Sequence, residues 1–175
     1  MEILIVINKY IKNIFRIFNF LGVVSLSSKV VKTEIKKYLK DWDVRESVGV
    51  TLTLKQRVKN HSLDVITCSR NLKHFLNRLN TKVFGNGFKR FGKRLRVLPV
   101  IERSKTGRLH NHLTIQNPYP DNPNYFTHLI KTLWKKTKFG HRKVDVNPNI
   151  NEGWNEYITK FNYKDDEVDW ENFHK

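Results

Sequence analysis

The stretch VLPVIERSKTGRLHNHLTIQ, residues 97 to 116, constrains the fold more than any other part of this chain. Two apolar-rich runs, 95 to 103 and 109 to 116, flank Ser104-Lys105-Thr106-Gly107-Arg108, which has the form of a three-residue hairpin loop with glycine at the left-handed position. Pairing Ser104 with Arg108 fixes the register by counting: Arg103 faces Leu109 and Glu102 faces His110. An antiparallel ladder is therefore written into the sequence, and the rest of the chain must pack around it.

Alternation along the second strand turns His110 and His112 to one side, about 7 Å apart, with Asn111 and Leu113 on the other. A residue directly across an antiparallel pair has its Cβ about 5 Å away on the same face, so Glu102, His110 and His112 converge. Two imidazoles and a carboxylate suit a divalent ion that keeps open positions for water or substrate. The plainer alternative is an exposed Glu102–His110 ion pair with His112 incidental.

Other elements follow from periodicity. SVGVTLTLK alternates Val48, Val50, Leu52 and Leu54 against Gly49, Thr51, Thr53 and Lys55, the pattern of a half-buried strand. Leu72, Phe75, Leu76 and Leu79 predict a helix from Ser69. Residues 82 to 96 read as a basic loop. A helix is expected from about 123, with Pro123 in its first turn and Gly140 at its end, then a short strand near 142 to 147 and a last helix begun by Asn151. Strands and helices without strict alternation point to an α+β fold with a mostly antiparallel sheet.

The first 28 residues carry Ile7, Ile11, Ile14, Phe15, Phe18 and Leu21 on one helical stripe. Lys9, Lys12 and Arg16 interrupt the apolar run, which excludes a membrane-crossing segment and favours a cationic amphipathic helix packed on the domain or on a second copy. A second apolar helical side, Val31 to Trp42, follows. The expected organisation is an N-terminal extension over 1–28, one domain over 29–164 and an acidic tail over 165–175.

Thirty-three Lys plus Arg against 16 Asp plus Glu give a formal net charge of +17, which favours a polyanionic partner, nucleic acid first. A single cysteine, Cys68, excludes an internal disulfide and gives no sign of a secreted protein. In KVFGNGFKRFGKRLR, Phe84, Phe88 and Phe91 interleave with Lys89, Arg90, Lys93 and Arg94, a combination able to stack bases and track phosphates; a solvated loop with anchoring phenylalanines fits equally. Lys55 and Arg57, just past the first strand, join these four as expected DNA contacts. Gly87 to Lys93 imitates part of a phosphate-binding loop, but Arg94 stands where Ser or Thr is required, so no ATPase module is present there.

In NINEGWNEYITKFNYK, Trp154, Ile158 and Phe161 share a narrow stripe of the helical wheel. Tyr157 lies at its edge, with Lys160 three residues on. A tyrosine hydroxyl can attack a phosphodiester when a metal polarises the phosphate and a cation eases its deprotonation. Tyr163 falls about 120° round the wheel from Tyr157, against a two-tyrosine arrangement.

Together these motifs resemble the HUH endonuclease superfamily, specifically its rolling-circle replication initiators. Val50-Thr51-Leu52-Thr53-Leu54 is similar to their first motif, His110 and His112 to the second with Glu102 as the upstream acidic ligand, and Tyr157-Ile158-Thr159-Lys160 to the third. The likeness spans residues 46 to about 164 in family order. One departure is Asn111, where the family usually has a bulky apolar residue.

The resemblance implies a five-stranded antiparallel sheet with flanking helices, ferredoxin-like in architecture. It also implies a Mg²⁺ or Mn²⁺ ion on Glu102, His110 and His112, and attack by Tyr157 on single-stranded DNA to give a 5′-phosphotyrosine link and a free 3′-hydroxyl, with Lys160 orienting the phosphate. Nicking and rejoining would both follow, with helicase and polymerase supplied by other proteins, in the cytoplasm or the host compartment where DNA is replicated. A single-tyrosine transposase of this superfamily typically has Gln four residues past the tyrosine, where this chain has Phe161. A water-using metal hydrolase and a non-catalytic nucleic-acid-binding module are the readings from other classes.

Overall fold

The computed structural model describes residue 33, residues 44–160 and residues 167–174. The chain divides into two units, Met1–Lys40 and Asp41–Lys175, and the account below concerns the second. The expected helices over 1–28 and 31–42 fall outside the described residues, as do Phe161 and Tyr163. Among the described residues no helix is long and apolar enough to cross a membrane.

After a 3₁₀ turn at Val44–Glu46, the elements run β1 (Ser47–Leu54), β2 (Arg57–Val58), β3 (His61–Ser62), α1 (Val65–Phe84), α2 (Asn86–Phe91), β4 (Val97–Arg103), β5 (Leu109–Gln116), α3 (Pro123–Lys135), β6 (Gly140–Asn147), α4 (Glu152–Ile158) and β7 (Glu167–Val168). Five strands form one antiparallel sheet in the order β6-β1-β5-β4-β7, and β2 and β3 make a small separate hairpin. The fold is α+β, with the five-stranded antiparallel sheet and flanking helices that the sequence led us to expect.

The central hairpin has the counted register: Glu102 pairs with His110 and Arg103 with Leu109. Ser104 N–H donates to Arg108 O at 2.9 Å, and Gly107 takes φ +77°, a backbone region costly for any residue with a Cβ. One sheet face carries the core. Leu52, Leu54 and Leu113 meet Leu72, Phe75 and Leu79 of α1 and Phe126, Ile130 and Trp134 of α3. Phe75 and Trp134 stack edge to face at 5.5 Å, an arrangement adding about 0.5–1.5 kcal/mol beyond buried area. The β1–β6 register shifts between Leu52 and Leu54, and the Thr53 carbonyl at that shift accepts the Trp134 indole N–H at 3.0 Å.

Three local expectations need correction. Helix α1 starts at Val65 rather than Ser69, because the Asp64 side chain caps it by accepting from Thr67 N–H at 2.6 Å. Residues 82–96 are not one loop: α1 runs to Phe84, Gly85 breaks it at φ +51°, and α2 follows before the strand begins. Gly140 does not end α3 but opens β6. The helix stops at Lys135 because Lys136 N–H turns back to Leu133 O at 3.2 Å, and Thr137 gives both its N–H and its hydroxyl to Trp134 O.

Residues 167–174, from the acidic segment that closes the chain, hold the far edge of the sheet. Val168 pairs with Val100, and Val97 exchanges backbone hydrogen bonds with His174 at 2.7 and 3.0 Å. Asp169, only 5 % exposed, accepts from Ser69 Oγ at 3.0 Å and Asn172 Nδ2 at 2.6 Å. Burial pushes its carboxyl above the usual carboxylate range, and those hydrogen bonds work against the shift.

Candidate active site

The other face of the sheet is covered more thinly, by the seven-residue helix α4, and on this face the chemistry-bearing side chains collect. Thr51 is paired with His112 and Thr53 with His110, so β1, β5 and β4 set Thr53, His110 and Glu102 in one row across the sheet. His112 lies one step along β5, 7 % exposed.

Glu102 reaches past its direct partner. Its Oε2 lies 2.6 Å from His112 Nε2, a contact that needs a proton between the two atoms. With that proton on Nε2, a neutral His112 accepts at Nδ1 from the Thr51 hydroxyl, 3.2 Å away. The His110 imidazole is held below its usual pKa, first by burial and then by the charge of His112, against the pull of Glu102. Neutral imidazoles and a carboxylate are the donor chemistry a hard or borderline divalent ion accepts. As placed, Glu102 is engaged with His112, and among the described residues no three His, Cys, Asp or Glu side chains are arranged to hold a metal ion.

Helix α4 brings the tyrosine to this face. Its seat depends on Gly49: a Cβ there would lie 2.7 Å from both Trp154 and Ile150, so only glycine lets the indole lie down on β1. Thr114 Oγ1 donates to Asn155 Oδ1 at 2.5 Å and ties the same helix to β5. Trp154 then supports Tyr157 at 5.8 Å between ring centroids, and Tyr157 stands edge to face on His112 at 6.2 Å. Tyr157 is 51 % exposed, so the ring is held while its surface stays open to a substrate. Lys160 lies past the helix end at Ile158, yet its Nζ sits 5.3 Å from the centre of the Tyr157 ring.

Glu102, His110, His112, Tyr157 and Lys160, named from sequence, thus meet on one sheet face. The six cations named as DNA contacts form two other groups: Lys55 and Arg57 just beyond β1, and Lys89, Arg90, Lys93 and Arg94 on α2 and the turn after it, all exposed. Sequence reasoning missed the parts played by Thr51, Gly49 and the Thr114–Asn155 bond. It also missed His141, whose Nδ1 lies 3.3 Å from Thr53 Oγ1 across the irregular β1–β6 pairing. Only Thr51 had a signal, as part of the Thr-Leu-Thr run; the others depend on tertiary contacts.

An antiparallel α+β sheet with a strand-borne histidine pair under a tyrosine helix defines the class of protein. Residues 47–166 match the model of the Replication-associated protein ORF2 family, and the chain belongs to that family. No curated protein and no solved structure matches it. Membership ties the chain to the initiation of DNA replication.

Proposed function

We propose that this protein is a single-stranded DNA nicking and joining endonuclease of the HUH type that initiates rolling-circle replication with Tyr157 as nucleophile. One observation carries the reading: the histidine and tyrosine motifs, remote in sequence, meet edge to face at 6.2 Å with Lys160 beside them. Tyr157 Oη loses its proton and bonds to phosphorus, the P–O3′ bond breaks, and the 3′ oxygen takes up a proton. The products are a 5′-phosphotyrosine and a free 3′-hydroxyl; attack by a 3′-hydroxyl on the same link rejoins the strand and frees the tyrosine. Lys160 orients and neutralises the phosphate. Glu102, His110 and His112 would hold Mg²⁺ or Mn²⁺, which polarises the phosphate oxygens when bound. For that, Glu102 must give up its direct contact with His112, a small side-chain change at a partly exposed carboxylate.

The Glu102–His112 contact also suits a second reading, a non-catalytic DNA-binding module in which the pair is structural. The two separate cleanly. With Mn²⁺ and a mixed pool of single-stranded DNA, His110→Ala and His112→Ala lose at least about 100-fold in cleavage while DNA binding is kept, on the usual scale for metal-assisted catalysis. Cleavage by both variants at the parent rate overturns the metal site.

A further inference from the structure

A cleft at the far end of β5 lies apart from the tyrosine site. It holds about 320 Å³ and is lined by Phe84, Lys93, Arg94, Leu95, Gln116 and Pro118. Phe84, Leu95 and Pro118 make apolar walls, Gln116 contributes an amide, and Lys93 and Arg94 stand exposed at the rim. That volume is at the small end for a ligand site and suits one planar ring with polar edges.

The rim is organised in advance of any ligand. The Arg94 guanidinium lies 4.8 Å over the Phe88 ring, and its Nη1 donates to Asn77 Oδ1 at 3.2 Å. Gly85 and Gly92, both at positive φ, bracket α2 as a short projection with no buried residue, on which Phe91 is 78 % exposed. From Val65 to Ile101 the chain carries no Asp or Glu and nine Lys or Arg. A polyanion bearing flat bases fits this surface; a neutral small molecule leaves the charge unexplained.

Position adds a second argument. Gln116 follows His112 by four residues on β5 and shares its side in the strand alternation, so roughly 13 Å separates the two positions. One DNA strand lying along that face meets both places without crossing a sheet edge.

We propose that the cleft is a base-reading site for the DNA strand that Tyr157 cuts, and in this it rests on the nicking function proposed above. An unstacked base enters between Phe84, Leu95 and Pro118, and the Gln116 amide bonds to its polar edge. Lys93 and Arg94 hold the adjoining phosphates, while the aromatic projection of α2 stacks a neighbouring base.

The test uses the full chain carrying Tyr157→Phe, with a chelator present, so that binding is read without cleavage. Fluorescence anisotropy compares labelled oligo-dT, oligo-dA and oligo-dC. The parent ranks the three. Gln116→Leu, close in shape and without donors, flattens that ranking by about fivefold or more, while Arg94→Ala weakens all three by about tenfold. Either a parent that does not discriminate or an unchanged ranking in Gln116→Leu overturns base reading, including the case where Arg94→Ala still weakens every oligomer. These outcomes are independent of nicking, which fails or stands on the wild-type chain with metal.

Discussion

Asn111 stands between the two histidines in sequence and turns to the opposite face in space. Its Oδ1 accepts from the buried Cys68 thiol at 3.3 Å, while its Nδ2 has no hydrogen-bond partner among the described residues. A buried donor left open costs about 1–3 kcal/mol, which is how this chain departs from an apolar residue at that position. Burial pushes the Cys68 thiol up to about 12, which makes it inert at neutral pH. Asp169 gives a sharper prediction. Its folded pKa is raised, so its contribution to stability is full below the unfolded value and is lost as pH rises through the folded one. Thermal midpoints measured at pH 5 and pH 7 should therefore include an acid-side gain in the parent that Asp169→Asn lacks; an identical pH response in the two proteins would contradict the assignment. At this scale the sequence was informative about pairing and silent about reach. Counting from the hairpin places Glu102 opposite His110, but only the folded side chains show the carboxylate choosing the diagonal His112.

Among the elements, α4 has the least packing for its importance. Seven residues long, it is held by Trp154 on Gly49 and by Asn155 on Thr114. Gly49→Ala forces a Cβ into the indole, an overpacking that costs about 1–3 kcal/mol, and the displacement falls on Tyr157 through Trp154. We expect its DNA cleavage to fall at least about tenfold, with single-strand binding within about twofold of the parent, since positioning errors near 1 Å carry penalties of that order. Parent-like cleavage would show that α4 does not depend on this seat. Long periodic elements were legible: α1, α3, β1, β4 and β5 appear where their apolar spacing puts them, within a few residues. What escaped the sequence is short or decided by contacts. A six-residue helix between two glycines has too few turns to show a period, and the two-residue β7 carries no alternation at all.

For the whole molecule, charge and face division govern what the protein can do. One face of the sheet is filled by α1 and α3, which leaves the other to chemistry, and the surface carries much of the +17 formal charge. Binding to single-stranded DNA should weaken steeply with salt, log K falling against log salt with a slope of about −0.7 per phosphate neutralised. Arg94→Ala should reduce that slope by about 0.7, read from titrations across salt concentrations; an unchanged slope would remove Arg94 from the phosphate contacts. The candidate site was readable because its three motifs sit on elements with strong periodic signals. The base-reading cleft was not, because Phe84 and Gln116 come from separate elements that only the fold joins. The most direct test of the central claim is intact mass and denaturing-gel analysis after incubation with single-stranded DNA and Mn²⁺. The account predicts a covalent protein–DNA adduct mapped to Tyr157, absent with chelator and absent in Tyr157→Phe. An adduct formed equally by Tyr157→Phe, or metal-dependent cleavage that leaves no adduct on the parent, would contradict it.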